Sequence, residues 1–253
     1  MTRVTDYAKL SARLGQLLFA GGVTNGLPKS EAIRQEIAAG TLFREDLPGG
    51  ILLLRQREDF LRLNFMLPDP AALLSWIPPQ STGLELPWRD RDPGLRELGE
   101  GLIERGWTPL VRRIRVTRKA GLPEGDPGAD SAVDFDPPPE EVLQILARCY
   151  SPISGCLPVA EELAGESAMT LPGAVLHYRS QGNTTEMRHL AVLPEARGQG
   201  LAKRLISVFL HREGDKLSRL WMDRENKRLL RLYESFGYHP DGWNSTVLYY
   251  LKA

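Results

Sequence analysis

The stretch that most constrains this chain is Arg188-His189-Leu190-Ala191-Val192-Leu193-Pro194-Glu195-Ala196-Arg197-Gly198-Gln199-Gly200-Leu201-Ala202-Lys203-Arg204-Leu205. An apolar run stops at a proline and a glycine-bearing turn follows. Leu201, Leu205, Val208 and Phe209 then recur at helical spacing. The pattern predicts strand, tight loop, helix. Gly198 and Gly200 lack a Cβ, so backbone N–H groups there can approach a ligand closely. The first N–H groups of a helix have no intrahelical partner, and with the macrodipole they favour an anion. Arg197 and Lys203 add positive charge beside them. The stretch is a candidate seat for a diphosphate.

Two common phosphate loops fit it less well. A Walker loop needs glycine directly before its lysine and Ser or Thr after it, but Lys203 stands between Ala202 and Arg204. A dinucleotide fingerprint puts its first glycine at the strand end and a third where Lys203 stands, and here Pro194-Glu195-Ala196-Arg197 intervenes. Asp223 does end the next apolar run, as a ribose-binding acid would, which keeps a nucleotide-binding Rossmann-type domain as a rival. Only about 50 residues follow the loop, too few for the rest of a doubly wound sheet.

Arg197-Gly198-Gln199-Gly200-Leu201-Ala202 matches an Arg/Gln-x-x-Gly-x-Gly/Ala signature, followed by Asn226 and by Leu232-Tyr233-Glu234-Ser235-Phe236-Gly237-Tyr238. In these motifs the last third of the chain resembles the GNAT superfamily of acyl-CoA-dependent N-acyltransferases. The resemblance implies an α/β fold whose mostly antiparallel mixed sheet holds one splayed parallel strand pair between helices. It also implies acetyl-CoA as co-substrate. Cofactor contacts are then expected from Leu190, Ala191 and Val192, from Arg197, Gly198, Gln199, Gly200, Leu201, Ala202 and Lys203, and from Asn226. The pantetheine arm would lie between strands 185–193 and 217–222, with Val192 N–H as candidate oxyanion donor.

Three side chains carry two readings each. Glu186 stands at the offset of the strand glutamate that serves some members as general base; an ordinary strand-edge carboxylate paired with Arg188 or a lysine is an equal reading. Tyr233 matches the tyrosine that, in the resemblance, protonates the departing thiolate. It also belongs to a helical stripe with Leu229 and Phe236, the pattern of a core aromatic with its hydroxyl at the rim. Asn226 is equally suited to N-cap the helix that carries Tyr233.

The two halves look alike. Each has two apolar strands ending in Leu-Pro-acid, at Leu67-Pro68-Asp69 and Leu193-Pro194-Glu195. Each later has a helix ending in glycine, an aromatic, any residue and proline, at Gly106-Trp107-Thr108-Pro109 and Gly237-Tyr238-His239-Pro240. Those glycines suit the left-handed position after a helix. Two tandem GNAT-like domains are expected, 1–118 and 132–253, joined by a Gly/Pro-rich acidic linker over 119–131. The linker reads chiefly as a solvated connector, although its acidity would also attract a cationic substrate. The N-terminal copy should be degenerate: Asp69-Pro70-Ala71-Ala72 offers neither glycine nor cation, and Leu102 stands where the other copy has Tyr233.

Composition narrows the partners. Lys and Arg total 32 against 32 Asp and Glu, with pI near 6.9, so nothing calls for nucleic acid or an anionic membrane. Cys149 and Cys156 are too few for a disulfide framework, and no Cys/His cluster has metal-ligand spacing. No apolar run approaches the ~20 residues of a membrane span. Arg3, Asp6 and Lys9 lie in a helical pattern unlike a signal peptide. His177, His189, His211 and His239 read as structural or surface residues, and strict alternation sets His189 on the opposite strand face from Glu186. The expectation is a soluble cytoplasmic N-acetyltransferase acting on a small-molecule or peptide amine by direct attack in a ternary complex, with a homodimer possible. The rival is a non-catalytic acyl-CoA-binding sensor or scaffold.

Overall fold

The computed structural model describes residues 1–121, 132–155, 157–163 and 165–252, the side chains of 161 and 162 apart. In chain order the elements are β1 (Thr2–Arg3), α1 (Tyr7–Phe19), β2 (Val23–Thr24), α2 (Ser30–Ala39), β3 (Leu42–Leu47), β4 (Gly50–Gln56) and β5 (Leu61–Leu67). A 3-10 turn (Pro70–Ser75), β6 (Thr82–Arg89), α3 (Gly94–Glu104) and β7 (Thr108–Arg118) follow. Then come α4 (Pro139–Cys149), α5 (Ala160–Leu163), β8 (Ser167–Leu171), β9 (Ala174–Gln181) and β10 (Thr184–Val192). A second 3-10 turn (Pro194–Ala196), α6 (Leu201–Glu213), β11 (Leu217–Asp223), α7 (Lys227–Glu234) and β12 (His239–Tyr250) complete the chain.

These elements form two compact units, Met1–Arg112 with Asn244–Ala253, and Arg113–Trp243. In the first, the strand order is β1-β3-β4-β5-β6-β12, antiparallel from β1 to β5 and parallel between β5 and β6. Alternation along β4 sends Ile51 and Leu53 toward α1 and α2, and Leu52 and Leu54 toward α3 and the 3-10 turn. Both faces are covered, which is why β4 reads as an unbroken apolar run. Leu248 of β12, fully buried, completes the α3-side core.

In the second unit the order is β7-β11-β10-β9-β8. β8, β9 and β10 are antiparallel, β10 and β11 parallel, and β11 and β7 antiparallel. Leu176, Tyr178 and Met187 pack against α6 and α7, while Val175 and Ala191 pack against α4. From β3 onward the first unit thus repeats the order of the second: three antiparallel strands, a parallel pair, and a closing strand from the other half of the sequence. The antiparallel neighbours on each side of the β10–β11 pair rule out a doubly wound Rossmann sheet.

The closing strands alter the expected boundaries. Arg113 to Arg118 ladder onto β11, from Asp223↔Arg113 to Ser218↔Arg118, and so join the second unit. Residues 244–253 join the first. Of the linker expected over 119–131, residues 122–131 lie outside the described residues, as does Cys156. β3 was hidden because Arg44-Glu45-Asp46 interrupts its apolar pattern, although it pairs along its whole length with β4. Lys29 holds the cap position of α2, which opens at Ser30, and no side chain caps that helix start. The glycines after α3 and α7 are left-handed as expected, Gly106 at φ 92 and Gly237 at φ 81. The N–H groups of Trp107 and Tyr238 then return to the Leu102 and Tyr233 carbonyls, each at 3.1 Å. No helix among the described residues is long and apolar enough to cross a membrane.

Candidate functional site

β10 and β11 pair from Thr184↔Leu217 to Met187↔Leu220 and then part, although β10 runs on to Val192 and β11 to Asp223. Their outer edges stay paired, β10 with β9 to Val192↔Ala174 and β11 with β7 to Asp223↔Arg113. The parting begins at a β-bulge: Met187 faces Tyr178 and His189 faces His177, leaving Arg188 as the extra residue. A bulge bends its strand and re-aims the side chains beyond it. His189 therefore shares the α4-side face with Glu186, correcting the expectation from strict alternation. The apolar residues carry the trace of it, because the α6-side positions change parity from Met187 to Leu190 and Val192.

Backbone direction in the gap follows from three contacts. The Leu190 carbonyl accepts from the Tyr150 hydroxyl at 2.7 Å and the Val192 carbonyl from Arg197 Nε at 3.2 Å. Leu193 N–H instead donates to the Gly173 carbonyl, at the start of β9, at 2.8 Å. The N–H and C=O of one strand residue point the same way and alternate along the strand. The Leu190 and Val192 N–H groups thus point into the gap, and that of Ala191 points at β9.

At the end of the gap the chain turns through Pro194–Ala196 into α6. Gly198 (φ 84) and Gly200 (φ 78) are left-handed, and Gly200 caps the helix with no side-chain bond. The N–H groups of Leu201, Ala202 and Lys203 therefore lack an intrahelical partner. Arg197, Gly198, Gln199, Gly200 and Lys203 are exposed, and a Cβ on either glycine would meet nothing within 4 Å. Open glycines, bare amides and two cations fit a diphosphate. Asn226 caps α7, accepting from Leu229 N–H at 2.9 Å.

Glu186 is held by Arg179 at 3.1 Å and lies 4.0 Å from Arg188, so the strand-edge pairing is present with Arg179 as the nearer partner. Tyr233 is not at a rim. It is 3 % exposed, packed edge-on against Tyr238, and its hydroxyl donates to Met187 Sδ at 3.7 Å, beside the point where the strands part. Burial, then the neighbouring Tyr150 and Tyr238, push its pKa well above the usual phenol value. Tyr150 itself is pushed up to about 12, by burial.

A buried polar chain on the α4 side was not apparent from sequence. Glu166 Oε2 lies 2.8 Å from His177 Nε2, off the ideal hydrogen-bond line; His177 Nδ1 is 3.1 Å from His189 Nδ1; and His189 Nε2 is 3.0 Å from the Gly155 carbonyl. A carbonyl only accepts, so His189 Nε2 carries a proton. Burial would raise Glu166, but its bond to His177 and the charges of Arg188, His177 and Arg179 outweigh this and hold it below the usual carboxylate value.

Burial pulls the titration of His189 down from 6.5 to about 3, with His177, Arg188 and Arg113 adding to it against the Gly155 bond. Below pH 6.5 the unfolded chain binds a proton that the folded chain refuses. The stabilisation is fully present above 6.5 and is lost as pH falls toward 3, and the depressed Glu166 acts in the same direction. Stability should be about 2–3 kcal/mol lower at pH 4.5 than at pH 7, read by urea unfolding. A His189→Phe chain should lose that part of the dependence. An unchanged slope in the variant would show that His189 does not set it.

The first unit closes the equivalent gap with its own chain. There β5 and β6 pair only from Leu61↔Thr82 to Leu63↔Leu84, and β2 then pairs with Met66 and Leu67 of β5. Asn25 bridges the two edges: its Nδ2 donates to the Leu63 carbonyl at 3.1 Å and the Glu85 carbonyl at 3.0 Å, and its Oδ1 accepts from Phe65 N–H at 2.9 Å. Asp69 likewise caps the following 3-10 turn, accepting from Ala71 N–H at 2.9 Å. The edges and amides that stand open in the second unit are satisfied internally in the first.

A family model described as an acetyltransferase (GNAT) domain matches residues 156–240. None of the curated proteins matches. Among solved structures, a putative acetyltransferase from the GNAT family of Novosphingobium aromaticivorans is similar at 18 % identity and TM-score 0.55, over 88 % of this chain and 93 % of that one. A GCN5-related N-acetyltransferase from Kribbella flavida is similar at 18 % identity and TM-score 0.53, over 88 % and 94 %. A tandem GNAT protein from the clavulanic acid biosynthesis pathway is similar at 13 % identity and TM-score 0.50, over 79 % and 78 %. Residues 156–240 of this chain therefore match the GNAT acetyltransferase domain model, and the chain has the mixed α/β fold of these GNAT-family structures.

Proposed function

We propose that the chain is an N-acetyltransferase that moves the acetyl group of acetyl-CoA to a primary amine by direct attack in a ternary complex. The observation that carries this reading is the open gap between β10 and β11, which leads to the uncapped start of α6. The co-substrate supplies an activated thioester. The amides of Leu201, Ala202 and Lys203, flanked by the charges of Arg197 and Lys203, bind its diphosphate. The Leu190 and Val192 N–H groups hold the pantetheine arm, and that of Val192 also stabilises the carbonyl oxygen as it takes on charge. Glu186, oriented by Arg179, accepts the proton of the amine, through water where the two do not touch. Tyr233 keeps its proton in the resting protein and donates it to sulfur as the thiolate leaves. The N-terminal unit is a degenerate copy with a structural role.

The ion pair that engages Glu186 favours one second reading, acyl-CoA binding without turnover. Calorimetry with acetyl-CoA, followed by free-thiol release across a panel of primary amines, separates the two. Binding with thiol release on at least one amine is expected. Binding with no release on any amine would make the protein a sensor or scaffold, and no binding would sink both readings.

A further inference from the structure

Among the described residues of the second unit, Arg219 has a buried guanidinium nitrogen, Nε, with no acceptor. Register partners place Arg179, Glu186, Arg219 and Thr117 in one row across β9, β10, β11 and β7. Their strand neighbours Tyr178, Met187, Leu220 and Val116 belong to the α6–α7 core, so the row lies on the opposite, α4-side face. The acids of this face are already engaged. Glu186 is taken by Arg179 at 3.1 Å, and Glu166 is shared by His177 at 2.8 Å, Arg179 at 3.7 Å and Arg188 at 4.0 Å. One row on, Asp241 Oδ2 holds both Nε and Nη2 of Arg115 at 2.7 Å. Arg113 donates to the Ser154 carbonyl. Arg219 has no hydrogen bond or ion pair among the described residues, and its Nε is buried from solvent with no acceptor.

An unpaired buried donor costs about 1–3 kcal/mol, and more when it is charged. Such a group in a folded protein calls for an explanation, and an acceptor brought by a ligand is one. The position suits a substrate. Arg219 directly precedes Leu220, the last β11 residue paired with β10, and the amides of Leu190 and Val192 open into the gap roughly 10 and 17 Å further along the strand. It also shares a face with Glu186, the group proposed to receive the proton of the amine.

We propose that the acceptor is an amine bearing an oxyanion, a carboxylate or a phosphate, and that Arg219 binds that oxyanion. The inference rests on the reading of the gap as the acetyl-transfer site. A guanidinium meets a carboxylate or phosphate through two parallel N–H···O bonds, which fixes the distance and direction of the amine from the anchored end. A neutral analogue would leave the buried Nε of Arg219 without a charged acceptor, and is disfavoured for that reason.

Isothermal calorimetry on the full chain, with and without acetyl-CoA, tests this with β-alanine and γ-aminobutyrate, the carboxamide of each, and phosphoethanolamine. The wild-type protein should bind at least one anionic amine about tenfold or more tightly than its neutral counterpart. Arg219→Ala should erase that preference and leave acetyl-CoA affinity unchanged, and Arg219→Lys should restore part of it. The relative affinities of the carboxylates and of phosphoethanolamine identify which oxyanion is taken. Equal binding of acids and carboxamides by the wild-type protein overturns the proposal, as does an Arg219→Ala chain that retains the preference or weakens both classes alike. Binding is read without turnover, so the two readings fail separately. Anion preference without acetyl transfer to any amine sinks the transferase reading alone; transfer without anion preference sinks this one alone.

Discussion

A Gly200→Glu chain should fold and yet bind acetyl-CoA at least ~100-fold more weakly than the wild-type protein in calorimetry. Gly200 is left-handed at φ 78 and exposed, and a Cβ there would meet nothing within 4 Å. The substitution therefore disturbs no packing. Its structural cost is the left-handed conformation of a non-glycine residue, about 1–2 kcal/mol. The functional cost has two parts. A carboxylate at the cap accepts from the bare amides of the first turn of α6, the groups that the diphosphate needs. It also repels that diphosphate: like unit charges at 4 Å interact by about 4 kcal/mol at an effective dielectric of 20. A Gly200→Ala chain carries the backbone strain without the charge and should stay within about tenfold of wild type. If the folded Glu variant binds acetyl-CoA as the wild-type chain does, the α6 loop is not the diphosphate seat.

The loop was legible in sequence because its physics is local. A proline, two glycines and a helical apolar stripe within eighteen residues are enough to specify an uncapped helix start. The helix-ending glycines Gly106 and Gly237 and the Asn226 cap were legible for the same reason. What stayed hidden depends on residues far apart in the chain. β12 ends up beside residues far earlier in the chain, as when Ser245 Oγ donates to Glu85 Oε1, 160 positions away, at 2.8 Å, and no local pattern encodes that partner. The bulge at Arg188 left a readable trace, the parity change from Met187 to Leu190. Read as strict alternation, it put His189 on the wrong face. The Glu166–His177–His189 chain depends on that bulge and on the β9–β10 register, so single residues could not announce it. Asn25 is a similar case: an ordinary turn residue in sequence becomes, in the fold, the bridge that closes the first unit's gap.

Tyr233→Phe should lower turnover about 100-fold or more while leaving acetyl-CoA affinity within a few-fold of wild type, the split expected when a proton donor to the leaving group is lost. The fold should barely register the change. The ring keeps its edge-on contact with Tyr238 and its place in the α6–α7 core. The hydroxyl gives up only a 3.7 Å contact with Met187 Sδ, and a thioether is a weak acceptor. That weakness is the functional argument. A phenol held at full burial by a strong acceptor would be a structural group, whereas this one rests against sulfur at the point where β10 and β11 part. Burial keeps it protonated at neutral pH, so it gives up its proton only to a developing base such as a departing thiolate. Pre-steady-state measurement of thiol release separates the chemical step from product release. Full turnover by the Phe variant would return Tyr233 to the core as a packing residue and leave the thiolate to be protonated from another source.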